Sequence, residues 1–93
     1  MKKKRKILNI KNFHYYIMGI AFFLINCDMG YEIQTITRLK KLCDEVQGTY
    51  GIYDFVCKLN YNNIESLEET LQKIRDVEKV THTITIHTIP EQS

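Results

Sequence analysis

Residues 48–55 read GTYGIYDF, two glycines and two tyrosines around a single carboxylate, in a chain whose 93 residues include only four glycines. Asp54 can accept hydrogen bonds from a cation, and the backbone N–H groups near Gly51 are open to an anion because no bulky side chain blocks the approach. A second polar set lies in THTITIHTI, residues 81–89, where Thr81, Thr83 and Thr85 share one strand face and carry hydroxyls that donate or accept. These groups suit a small polar ligand. They also have structural uses: Gly48 and Gly51 shape a turn, Asp54 caps that turn or pairs with a lysine, Tyr50 and Tyr53 pack at an interface, and threonine favours strands by its branched shape.

Other chemistry is missing from the sequence. No nucleophile has an adjacent base, no carboxylates are paired at a fixed spacing and no phosphate loop is present, so an enzyme is not expected. Cys27, Cys43 and Cys57 form no even set and no CxxC, and His14, His82 and His87 are scattered, with His82 and His87 on opposite strand faces. No metal and no cofactor are therefore expected, and the thiols read as reduced cysteines of a cytoplasmic protein. Glu65, Glu68 and Glu69 read as the solvated start of a helix.

The charge is divided along the chain. Lys2, Lys3, Lys4, Arg5, Lys6 and Lys11 precede every acidic residue, and from residue 13 onward seven basic residues face 11 acidic ones, a net charge of −4. An acidic domain repels a phosphate backbone, so nucleic acid could be held only by the basic segment, as a sequence-blind tether. KKKRK followed by YYIMGIAFFLI has the outline of a secretory signal, and LINC that of a lipoprotein site. However, His14 and two tyrosines make a poor apolar core, Asn26 stands where a small residue is needed, and the run falls short of the roughly 20 residues that span a bilayer. No membrane association is expected. Residues 1–18 are expected to be a basic arm, disordered or an artefact of start-site choice ahead of Met18-Gly19, with one domain over 19–93. At this size only about 60% of the unfolded surface is buried, so a partner helps stability.

The elements that position the polar groups follow from periodicity. AFFLIN, residues 21–26, is apolar on both alternate faces and reads as a strand covered on both sides. Ile33, Ile36, Leu39 and Leu42 mark an amphipathic helix from about Tyr31 to Cys43. Val46–Tyr50 and Tyr53–Leu59 read as strands joined by a tight hairpin at Gly51-Ile52. Asn63 caps a second helix carrying Leu67, Leu71, Ile74 and Val77, with Lys73, Arg75 and Lys79 toward its end, and Thr81–Ile89 forms the last strand before Pro90. The order βαββαβ implies a ferredoxin-like α+β sandwich, a four-stranded antiparallel sheet with two helices on one face. The bare face would expose Phe22 or Phe23 with apolar and threonine neighbours, so a homodimer packed sheet against sheet is expected.

With AFFLINCDMG opening the first strand and helix, GIYDF between the middle strands and VTHTIT leading into the last, the chain resembles the C-terminal ligand-binding and oligomerisation domain of the leucine- and asparagine-responsive (Lrp/AsnC) regulators. The resemblance runs from about Ile20 to Pro90, and GIYDF matches the family's Gly-x-Tyr-Asp signature. It implies a dimer or higher oligomer that binds an amino acid or related effector between subunits, with effector contacts carried onto Gly51, Tyr53, Asp54, Thr83 and Thr85. Only about 19 residues precede the first strand, too few for the family's helix-turn-helix, so the chain is similar to stand-alone forms that act without reading DNA sequence themselves and can co-assemble with a DNA-binding relative. The alternative is a ligand-free oligomerisation or adaptor module.

Overall fold

The computed structural model describes residues 19–88; the basic arm expected over 1–18 and the end of the last strand at Ile89 and Pro90 lie outside them. The described chain runs β1 (Gly19–Cys27), α1 (Glu32–Leu39), β2 (Glu45–Gly48), β3 (Phe55–Tyr61), α2 (Ile64–Arg75) and β4 (Val80–His87). All pairings are antiparallel and the sheet order is β2-β3-β1-β4, which is the ferredoxin-like topology.

β1 is central because both of its faces can be buried. Ala21, Phe23 and Ile25 are fully buried under the helices, and their cross-strand partners Leu59, Cys57 and Phe55 lie on the same side. Leu39 of α1 and Leu67 and Ile74 of α2 close this core from above. Phe22 and Leu24 point the other way, opposite Ile86 and Ile84 of β4 and Lys58 and Val56 of β3. Among the described residues no helix covers that side, and Ile84 and Ile86 are 37% and 47% exposed. Gly19 permits a close approach at the start of β1, where an added Cβ would sit 2.7 Å from the Tyr61 hydroxyl.

α2 forms as its sequence directs. The Asn63 side chain accepts from the Ser66 N–H at 2.8 Å, and Lys73 and Arg75 occupy the last turn, where the helix dipole is negative. α1 differs from expectation: it stops at Leu39, and residues 40–43 turn back through bonds from the Leu42 and Cys43 N–H groups to the Leu39 carbonyl. Its buried residues are Thr35 and Leu39, whereas Ile33 is 81% exposed. Steps of three residues drift by about 60° each around a helix with 3.6 residues per turn, so Ile33 and Leu42 cannot share one face.

The middle hairpin also differs. β2 and β3 close at the Gly48–Phe55 pair, leaving residues 49–54 as a six-residue loop in place of a tight turn. Gly51 within it has φ +120°, in the left-handed region that favours glycine. The Thr49 N–H donates to the Asp54 carbonyl at 2.9 Å and the Thr49 hydroxyl donates to the Tyr53 carbonyl. Those bonds stabilise the wider loop.

The α1 face gives a direct test. Leu39→Ala should cost about 2–5 kcal/mol in denaturant unfolding, as for other fully buried leucines, while Ile33→Ala should stay within about 0.5 kcal/mol of the parent.

Candidate functional site

The loop at 49–54 meets the end of β1, and Asp54 is the residue that joins them. Its N–H donates to the Ile25 carbonyl at 3.0 Å and to Asn26 Oδ1 at 2.9 Å. Its carboxylate Oδ2 accepts from the Cys27 N–H at 2.9 Å. β1 runs two residues past the last β3 pair, at Ile25–Phe55, so the carboxylate supplies the acceptor that a longer β3 would have provided. Oδ1 has no partner among the described residues. Asp54 therefore locks the strand end with one carboxylate oxygen.

Asn26 and Cys27 escaped the sequence reading. The available signal was a polar Asn26 at the end of an otherwise apolar run; what it contacts lies 28 residues away and carries no local pattern. Cys27 has its thiol pushed up by burial, against the opposing pull of the Thr35 hydroxyl and with further upward push from the Asp54, Glu32 and Asp28 carboxylates. Thr35 Oγ1 is itself buried with no hydrogen-bond partner among the described residues.

Gly51, Tyr53 and Asp54 come together in the loop, Gly51 exposed and the other two half-buried. Thr83 and Thr85 do not join them within one chain. They pair with Ile25 and Phe23 on β4, half-buried on the helix-covered side, while the loop leads into β3 on the opposite flank of β1. Two strand spacings are about 9–10 Å. Thr83 instead lines a shallow cleft of about 220 Å³ with Arg75, Val80, Thr81 and His82. Arg75 is a guanidinium that the sequence alone assigned only to a helix end. The β1–β4 register shifts between Asn26 and Cys27, so that Cys27 pairs with Val80 and Thr81 drops out of the ladder beside this cleft. A roomier cleft of about 530 Å³, between the C-terminal ends of α1 and α2, is lined by Arg38, Lys41, Leu42, Lys73, Asp76 and Val77 and contains none of the candidate residues.

Among the described residues no group of three or more His, Cys, Asp or Glu is placed to hold a metal ion, and no helix is long and apolar enough to cross a membrane. The turn after β1 is built by Gly30 at φ +94° and by the Lys79 ammonium, 4.5 Å from the Tyr31 ring centroid. Lys79 also accepts, through its carbonyl, the Asp28 N–H at 2.9 Å.

Solved structures share this fold. FFRP-DM1 superposes with a TM-score of 0.72 at 26% identity, over 76% of this chain and 99% of its own. E. coli AsnC superposes with a TM-score of 0.67 at 22% identity, over 90% of this chain and 58% of AsnC. The fold is that of the Lrp/AsnC regulators. TTHA0845 from Thermus thermophilus has the same Lrp/AsnC-like fold, with a TM-score of 0.73 at 24% identity over 81% of this chain and 98% of that protein. No protein-family model matches the sequence, and no curated protein matches it.

The strand-end lock predicts an ordered series of stabilities. Asp54→Ala leaves the Cys27 N–H unpartnered and should cost about 1.5–3 kcal/mol in chemical denaturation, whereas Asp54→Asn keeps an acceptor and should lose about half as much.

Proposed function

We propose that the chain is a small-molecule sensing and oligomerisation domain related to the Lrp/AsnC regulators, a binder without catalytic activity that acts in the cytoplasm. Two copies pair through the uncovered sheet face, and an amino acid or related zwitterion binds at a subunit boundary. The observation that carries this reading is Asp54: a carboxylate held at a strand end by the Cys27 N–H, with Oδ1 unengaged by any described residue beside an open glycine loop.

An amino acid needs an acceptor for its ammonium and donors for its carboxylate. Asp54 provides the first. Backbone N–H groups near Gly51, or the Arg75 guanidinium next to the Thr83 hydroxyl, suit the second. Because β1 separates the loop from Thr83 and Thr85, one small ligand touches both sets only if a second copy contributes one of them. That requirement ties sensing to assembly. A ligand bridging two copies changes which oligomer is favoured, and the change passes to DNA through co-assembly with a DNA-binding relative.

A second reading is favoured by the same residue. Asp54 already has a structural use in the strand-end lock, and a ligand-free oligomerisation module needs no more than that.

A thermal-shift screen of the twenty amino acids with the full chain separates the two. On the sensing account at least one raises the melting temperature, by an amount that grows with concentration, and Asp54→Asn removes that shift while the unliganded variant stays folded and oligomeric. No shift with any amino acid, together with an unchanged assembly size, contradicts it.

A further inference from the structure

The positive charge of an otherwise acidic domain is gathered in one place. Residues 19–88 hold ten acidic and seven basic residues, and five of the seven, Arg38, Lys40, Lys41, Lys73 and Arg75, lie at or just past the C-terminal ends of α1 and α2. Arg38, Lys41 and Lys73 line the cleft of about 530 Å³ between those ends, together with half-buried Leu42 and buried Val77.

Cations collect at helix C-termini because the dipole is negative there, and they commonly bond the last carbonyls. Here backbone groups already take those carbonyls. The Ile36, Arg38 and Leu39 carbonyls accept the Lys40, Lys41 and Leu42 N–H groups, and those of Gln72 and Ile74 accept the Asp76 and Val77 N–H groups. Among the described residues Arg38 and Lys41 enter no ion pair, and Lys73 has only Glu69, 3.9 Å away between two exposed side chains. A pair of that kind holds the ammonium weakly. Asp76 is the one carboxylate of the lining, and its Oδ1 accepts from Gln72 Nε2 at 3.3 Å. With the roughly half negative charge of each helix end added to it, the three cations remain in excess.

We propose that this cleft binds a nucleoside phosphate. Arg38 presents the planar fork of N–H donors that matches phosphate oxygens in pairs, and Lys41 and Lys73 add point charges from the α1 and α2 sides. Leu42 and Val77 offer apolar surface to a base, and Asp76 accepts from sugar hydroxyls. A bare polyphosphate uses only the cations and is repelled by Asp76; a nucleoside phosphate uses the whole lining. The volume lies within the usual range for small-ligand pockets, roughly 300–1,000 Å³. Since α1 and α2 each supply part of the lining, the ligand ties the two helices together. The cleft shares no residue with the 49–54 loop and does not depend on what that loop binds.

Titrating ATP into the isotope-labelled full chain at low salt, with backbone amide shifts followed by NMR, tests this. Saturating shifts should appear at residues 38–42 and 73–77, and added salt should weaken them. Arg38→Gln combined with Lys41→Gln should weaken ATP binding at these residues at least about tenfold, and Lys73→Gln severalfold, as expected for lost charge-assisted bonds. All three side chains are exposed, so the unliganded variants should melt close to the parent. Asp54→Asn should bind ATP as the parent does, which keeps this site separate from the loop, and tripolyphosphate should bind more weakly than ATP. The proposal is overturned by ATP shifts confined to residues before 19, by an absence of shifts, by binding that the Arg38 and Lys41 substitutions leave intact, or by tripolyphosphate matching ATP.

Discussion

β1 presents apolar side chains on both faces, and the two helices of a βαββαβ chain can cover only one. Ala21, Phe23 and Ile25 are removed from water by α1 and α2, which fixes β1 in the middle of the sheet with β3 and β4 on its flanks. Phe22 and Leu24 carry as much hydrocarbon in the other direction. Together with Val56, Ile84 and Ile86 they make a contiguous apolar face that a small monomer rarely leaves in water. Burying a side chain of this kind is favourable by about 1.5–3 kcal/mol, so a handful of them outweighs much of the entropic cost of pairing two chains. The assembly proposed for the protein follows from the same strand that organises its core.

The end of β1 is where apolar cover runs out, and polar groups take over. Asn26 and Cys27 lie beyond the last β3 pair, and Asp54 satisfies them with its backbone and one carboxylate oxygen. The loop at 49–54 is wide because its closing residue is bonded to β1, not folded into a two-residue turn. A charged group held in this way is preorganised: its position is set before any ligand arrives, and its remaining oxygen keeps its lone pairs. Structure and the proposed recognition therefore share one side chain.

Much of this was legible in the sequence. α2 could be read because its Asn63 cap, its Leu67 and Ile74 spacing and its terminal Lys73 and Arg75 are all local and agree with one another. The element order, and with it the fold, followed from the change of period between AFFLIN, the helices and THTITI. α1 was overextended because evenly spaced apolar residues at three-residue steps imitate a stripe that a real helix rotates away, leaving Ile33 in water. The hairpin was drawn too tight because Gly51 signals a turn without saying how wide it is. The partners of Asp54 depend on strand register across the sheet, which no short spacing encodes.

Pairing of two copies through the β1–β4 face underlies both the proposed assembly and the proposed shared ligand site, and intermolecular contacts measured by isotope-filtered NMR on a mixture of labelled and unlabelled chains would reveal it. Cross-chain contacts are predicted from Phe22, Leu24, Ile84 and Ile86. A monomer in which those side chains show contacts only within their own chain, or an oligomer joined through α1 and α2 with that face still in water, would contradict it.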